Sequence, residues 1–425
     1  MKVAIVGAGV IGLATARALA LQGGHSVTVF DRAPGPGQEA SDANGALLHP
    51  SSVEPWNSPG ILGVLWRSLG REDSAMLLRW RTLPSLVGWG LRFVRESMTE
   101  RFRAHTLANA ALAMHSQRCL QPIAADGVAF DHYRRGTLMM LRDPEALASA
   151  AAWAEVLGSV GVRHRMLGVD EALALEPALA PIAGQLVGAV HNLDDEAGNS
   201  RRFCESLAEA LRRDGVALRL ETTVEAITRQ RGAVTGLRLA GGGDEPFDAV
   251  VLAAGAYSVA LARACGLALP VRPAKGYSLT FDLAAFDDRP RMPVIDSVLH
   301  VGVTPVGATQ LRVAGTAEFC GYDRGIVAAR VDNLRRQIGL LYPALMSRLP
   351  AASGTPWTGL RPMCADGMPL IGPTSVPGLY LNTGHGHMGW TLAAGSGDLL
   401  ARLMASASMP DGVDPTPFRP QRFGL

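Results

Sequence analysis

One arginine, Arg361, stands in the stretch "WTGLRPMCADGMPLIGP" (357–373), otherwise made of Gly, Pro, Met, Leu and little else. A permanent cation in such surroundings needs a partner. Two are available in principle. Asp366 lies five residues on, and an anionic ligand would match the planar guanidinium with two parallel hydrogen bonds. A second polar group on an apolar run is Tyr277 in "KGYSLT", with Lys275 two residues earlier on the same face of the strand expected there. Three histidines fall in segments rich in small residues: His49 at the end of a loop, and His385 and His387 in "TGHGHMGW". A lone loop histidine is more often structural than catalytic. No Ser–His–Asp order, paired-carboxylate motif or metal-ligand spacing emerges, so no metal is expected. That leaves the hard chemistry to a cofactor.

A cofactor site is legible at the start of the chain. "KVAIV" reads as a short buried strand, "GAGVIG" follows at once, and "LATARALALQG" reads as a helix. Gly7 permits the tight turn, Gly9 lets the backbone approach a pyrophosphate, and Gly12 lets the helix pack on the sheet. Val10 and Ile11 bring first-turn N–H groups and the positive end of the helix dipole to the phosphates. The next strand, "HSVTVFDR", ends in Asp31 and Arg32, and Asp31 is placed to hold the ribose hydroxyls while disfavouring a 2′-phosphate. This fingerprint does not separate NAD from FAD.

The rest of the chain separates them. Regular βα units stop after Arg32, and "APGPGQEASDANGALLHP" is a long loop whose small residues, among them Ser41, Asn44 and Gly45, suit a chain lying against a flat cofactor. Nucleotide-domain signals return at 216–227, which includes Val224, and at 247–258, where a strand ends in Ala254 and Gly255. A third strand at 378–382 runs into a glycine-rich turn with Gly384, His385, Gly386, Met388 and Gly389, then Trp390 and a helix from about Thr391. A helix N-terminus there has a use beside a reduced flavin, whose pyrimidine end carries negative charge.

The strings "VAIVGAGVIG", "VTVFDRAPGPGQEASDANG", "PAKGYSLT", "WTGLRPMCADGMPLIGP" and "LNTGHGHMGWTLAAGSGDLL" occur in that order between residues 3 and 400. In them the chain resembles the FAD-dependent D-amino acid dehydrogenases, within the wider D-amino acid oxidase, glycine oxidase and sarcosine oxidase group. The resemblance implies an α/β fold: a Rossmann-like FAD-binding domain interleaved with a smaller α+β substrate domain on a mixed or antiparallel sheet. It implies FAD-domain segments 1–60, 185–268 and 355–425, and substrate-domain segments 61–184 and 269–354. It further implies that Arg361 and Tyr277 hold the substrate carboxylate. Hydride would pass from Cα of a D-amino acid to FAD, with a 2-oxo acid and ammonia as products and a quinone or other non-oxygen acceptor taking the electrons. Alternatives within the group are D-proline or D-hydroxyproline dehydrogenation and sarcosine or glycine oxidation. His387 departs from the smaller residue expected of the family, and the pocket wall there and around His49 would decide among them. No cysteine or histidine stands at a defensible covalent-link position, so the FAD is expected to be non-covalent.

Composition narrows the class. The formal net charge is +2, which gives no argument for nucleic acid. Five dispersed cysteines without CxxC spacing argue against a disulfide framework and for a cytoplasmic home. No uninterrupted apolar run reaches the length of a membrane span. The stretch 59–97, with Trp66, Trp80, Trp89 and Phe93 among arginines, reads as short helices packed on the fold; the competing reading is peripheral contact with the inner face of a bacterial membrane.

Overall fold

A computed structural model describes residues 1–425. The first strand, β1 (Lys2–Val6), is buried along both faces apart from Lys2, as its unbroken apolar run requires of a central parallel strand. It lies between β2 (Ser26–Phe30) and the strand Ala249–Leu252, with Ile5 opposite both Val29 and Val251. The six-stranded sheet runs in the order 370–373, 379–383, 249–252, β1, β2, 217–219. Helix α1 (Val10–Gln22) follows β1 directly.

Glycine decides how closely the helices of this layer approach. A Cβ at Gly397 would lie 2.7 Å from the Ala14 carbonyl of α1, and one at Gly395 would lie 2.9 Å from Ser116 on the helix Thr99–Ala125. The helix Gly389–Ala405 is thus wedged between two others on its two glycine faces, in an interior packed too tightly to admit a methyl group.

The second sheet has nine strands and is mostly antiparallel. Its longest strand, Val271–Asp282, is second from one edge, paired on one side with Thr355–Cys364 and on the other with Gln310–Phe319. The helix Ala328–Leu341 covers it, burying Val331, Leu334, Ile338 and Leu341 against Tyr277, Leu279, Val303 and Val313. The helix Pro144–Gly158 starts where its sequence says it should: Asp143 caps it by accepting from the Ala146 N–H at 2.7 Å.

Sheet membership corrects the expected segment boundaries at three places. Gly188–Asn192 belongs to the second sheet, between 137–141 and 164–167, although it falls after the expected break at 185. Thr355–Cys364 also belongs there, so the return to the first layer comes after Cys364. The helix Thr99–Ala125 buries Leu112, Ala113 and Leu120 in the core of the first layer rather than the second. Strand pairing and helix packing, both long-range, override the order of the chain here.

The stretch 59–97 forms two α-helices, Ile61–Arg67 and Leu83–Arg95, with a short strand at Met76–Leu78 and a 3-10 turn at Trp80–Thr82 between them. Trp89 and Phe93 turn inward onto Phe319 and Met363, while Trp66 and Trp80 remain 81% and 64% exposed. No helix is long and apolar enough to cross a membrane, and all five cysteines are free.

Candidate active site

One cavity of about 1350 Å³ runs between the two sheets. It exceeds the ~300–1,000 Å³ of most small-molecule sites, as a dinucleotide together with a substrate would require.

At one end the wall is backbone. Gly7 has φ of 116°, a conformation open to glycine alone, and its N–H donates to the Phe30 carbonyl at 2.8 Å. A Cβ at Gly12 would overlap the Gly7 carbonyl oxygen, and one at Gly9 would stand 3.1 Å from Ser41 Oγ. Helix α1 has no side-chain cap at Gly9, which leaves its first-turn amides for a ligand. Val10 N–H is the exception, donating to Ser41 Oγ at 3.2 Å. Asp31 is fixed by two amides, accepting from Ala8 N–H at 2.7 Å and Ala33 N–H at 2.9 Å. Arg32 pairs with Glu39 at 2.7 Å and lies 3.9 Å over the Tyr257 ring, at the rim.

The small-residue loop crosses from this end to the second sheet and is tied down by its carbonyls. Ser278 Oγ donates to Ala43 O at 2.6 Å, Arg312 Nη1 to Asn44 O at 3.1 Å, and Thr304 Oγ1 to Gly45 O at 3.0 Å. Three strands thus hold three consecutive residues of a segment with no regular structure of its own. Val224, Ala254, Gly255, His385, Gly386, Gly389 and Trp390 complete the wall. Gly12, Gly384, Met388 and Thr391 stand behind it, where Thr391 Oγ1 accepts the His49 N–H at 3.2 Å.

At the other end the wall is side chain. Arg361 lies on the strand Thr355–Cys364, facing the cavity. Asp366 is not its partner: that carboxylate is 4% exposed and bonds Arg422 Nε at 2.7 Å. Burial works against its ionisation, but Arg422 holds it below the usual carboxylate range. Arg361 makes one hydrogen bond to protein, from Nη1 to the Thr316 carbonyl at 2.9 Å, and no ion pair. Burial without a counter-ion lowers its pKa to about 10.

Two residues that sequence reasoning missed make room for and aim this guanidinium. Gly276, paired across the strands with Gly359, lies directly beneath it, and a Cβ there would occupy its place. Thr316 sits at a β-bulge opposite Gly276 and Tyr277 with φ of 56°, strained for a β-branched residue, and turns its carbonyl to Arg361. The signal for Gly276 was present in "KGYS"; the bulge had none.

Tyr277 departs from expectation. It is 1% exposed, and its hydroxyl donates to Glu318 Oε2 at 2.5 Å. Its proton therefore serves a carboxylate of the protein itself. Glu318 also takes Arg79 Nε at 2.6 Å and lies 3.3 Å from Lys275 Nζ, so the residues of "KGYS" anchor a buried charge network. Burial and Glu318 push the Tyr277 phenol up, away from any acid role. His49 and His387 line the cavity near Arg361, and Trp56 joins them, stacked on His387 at 5.2 Å. His385 bonds Ser396 Oγ at 3.0 Å. Burial lowers the pKa of His49 to about 4 and of His385 and His387 to about 3, so all three are neutral at physiological pH. His115, Cys119 and Asp398 form a cluster of metal-capable type away from the cavity, but Arg402 occupies Asp398 at 2.7 Å.

Comparison with known proteins agrees with this architecture. Residues 2–403 match the family model described as FAD dependent oxidoreductase. The chain is 39% identical over 422 residues to a D-amino acid dehydrogenase of Paramagnetospirillum magneticum, covering 97% of this chain and 98% of the relative. It is 38% identical over 410 residues to a D-amino acid dehydrogenase of Dechloromonas aromatica, covering 95% and 97%. Among solved structures, glycine oxidase from Geobacillus kaustophilus superposes with a TM-score of 0.73 at 23% identity over 98% of both chains. L-proline dehydrogenase from P. horikoshii gives 0.78 at 17% identity over 99% of this chain and 97% of that one. These likenesses show the fold, and the cavity's glycine-built end fits the cofactor. This chain belongs to the family of FAD-dependent oxidoreductases, and FAD is its cofactor.

Proposed function

We propose that this protein is an FAD-dependent D-amino acid dehydrogenase that converts D-amino acids to 2-oxo acids and ammonia. The observation that carries the reading is Arg361, a buried guanidinium without a carboxylate partner, facing the same cavity as the glycine motif. The names of its relatives supply the substrate class.

In this reading the amides of α1, Asp31, and the loop at Ser41, Asn44 and Gly45 hold the cofactor. Bound FAD supplies the hydride acceptor. The protein supplies placement: Arg361 takes the α-carboxylate in a two-pronged grip and so fixes the direction of the Cα–H. Thr316 fixes Arg361, and the Trp56 and Tyr277 rings keep water from the reacting carbon. The test is anaerobic addition of D- and L-alanine, D-proline, sarcosine and glycine to the flavoprotein. Bleaching by D-alanine and not L-alanine supports the reading; bleaching by L-alanine, or by sarcosine alone, sinks it.

The acceptor is proposed to be a quinone, reached through peripheral contact with the membrane. The support is the outer face of 59–97. Leu62 and Trp66, 62% and 81% exposed, are an i,i+4 pair on one helix; Val87 and Leu91, 60% and 70% exposed, are an i,i+4 pair on the next. Ile61, Val64 and Arg67 of the first of these helices line the cavity. Exposed tryptophan and basic residues suit an anionic lipid interface. Trp66→Glu with Leu91→Glu should abolish co-sedimentation with phosphatidylglycerol vesicles while dye reduction persists. Unchanged sedimentation would remove the membrane from the proposal.

A further inference from the structure

Two imidazoles stand beside Arg361, and carboxylate binding and hydride transfer use neither. His49 arrives on the loop from the first sheet, His387 on the turn before the helix Gly389–Ala405. His387 lies close enough to Arg361 for the guanidinium charge to disfavour its protonation. Trp56 fills the space between: it stacks on His387 with 17° between planes, and its ring centre is 5.5 Å from the Arg361 guanidinium carbon.

In both rings Nδ1 is sealed off and has no hydrogen-bond partner. Burying an N–H without an acceptor costs about 1–3 kcal/mol, so the proton of each neutral ring belongs on Nε2. Nε2 is the nitrogen left for the cavity, which both residues line. The wall next to the carboxylate clamp therefore offers two neutral N–H donors set against an indole face.

Few side chains suit that wall. A cationic one would meet two donors and Arg361. A second carboxylate would need a cation, and the guanidinium is already engaged by the first. A wholly apolar one would leave both N–H groups dry and unpaired. A hydroxyl oxygen can accept from one or both while the indole covers its carbons.

We propose that His49 and His387 form a recognition pair for a neutral oxygen on the substrate side chain, which makes hydroxylated D-amino acids the preferred substrates. The inference rests on Arg361 as the α-carboxylate site. It deepens the general D-amino acid reading by naming the side-chain class.

The test compares isosteres on the holoenzyme. D-Threonine should exceed D-valine in kcat/KM by at least about tenfold, since a site built around a hydroxyl rejects the analogue lacking it. His387→Phe keeps a ring on Trp56 but removes the donor. In it, and in the His49→Ala/His387→Ala double variant, the ratio should fall toward one. A binding measurement separates recognition from turnover: 3-hydroxybutyrate should perturb the flavin spectrum at a lower concentration than 3-methylbutyrate, and the gap should close in His387→Phe. D-Valine equal to D-threonine, a ratio that survives the double variant, or a preference for D-glutamate would each overturn the proposal. If neither carboxylate perturbs the spectrum and Arg361→Met changes nothing, the Arg361 reading falls first and takes the inference with it.

Discussion

The two ends of the cavity are built from different materials. The dinucleotide end is backbone: Gly7 at φ 116°, the bare first turn of α1, and Asp31 pinned by two amides. The amino-acid end is side chain: Arg361, His49, Trp56 and His387, drawn from three separate segments. A backbone site tolerates no Cβ and has no graded states. A side-chain site can be trimmed group by group, so it is where relatives sharing one cofactor can diverge in substrate.

Substitutions should separate the ends. Gly12→Val places carbon on the Gly7 carbonyl oxygen, so the purified protein should be colourless or unfolded; a yellow, folded variant would break the comparison. Arg361→Met should keep the flavin spectrum but lower kcat/KM for D-alanine by about 10²–10³-fold, the usual range for deleting one partner of a buried charged hydrogen-bond pair. Retained activity in that variant would move the carboxylate site elsewhere.

Acid should act on the histidines that line the cavity. His49, His385 and His387 have folded pKa values of about 4, 3 and 3, below the unfolded value of 6.5. Below pH 6.5 the unfolded chain binds protons that the folded one refuses. Stability is then complete above pH 6.5 and falls as pH drops toward 4, at most about 1.4 kcal/mol per pH unit for each group. Unfolding free energies from denaturant titrations at pH 7 and pH 5 should differ by a few kcal/mol, and His385→Asn should reduce the difference. Equal values would mean the rings are not buried in solution.

Gly276→Ala should have the mildest effect. The new methyl group displaces the flexible end of Arg361 and not backbone. KM for D-alanine should rise about tenfold with kcat less affected, as expected where binding geometry alone is disturbed. A fall in kcat with KM unchanged would instead place Arg361 in the chemical step.

The legible parts of the molecule are those with local causes. "VAIVGAGVIG" specifies strand, turn and helix through demands set within the motif itself: Gly7 takes φ of 116°, and Gly12 lies against the Gly7 carbonyl oxygen. The Asp143 cap is equally local. The illegible parts turn on partners far apart in sequence. Asp366 prefers Arg422 to Arg361 because the C-terminal segment folds back over it, fifty-six residues on. The Tyr277 hydroxyl goes to Glu318, forty-one residues away, because the strands pair so as to bury both. The break expected at 185 fails for the same reason, since Gly188–Asn192 finds its neighbours at 137–141 and 164–167.

By itself the sequence determined that the chain binds a dinucleotide and that one arginine stands in apolar surroundings, because glycine spacing and the cost of a buried cation are properties of the residues themselves. Only the tertiary structure decided that this arginine is left without a protein carboxylate, and that His49, Trp56 and His387 meet beside it. Electrostatic pairing and cavity walls depend on which groups fold within a few ångströms of each other, and that distance is set by the packing of the whole chain.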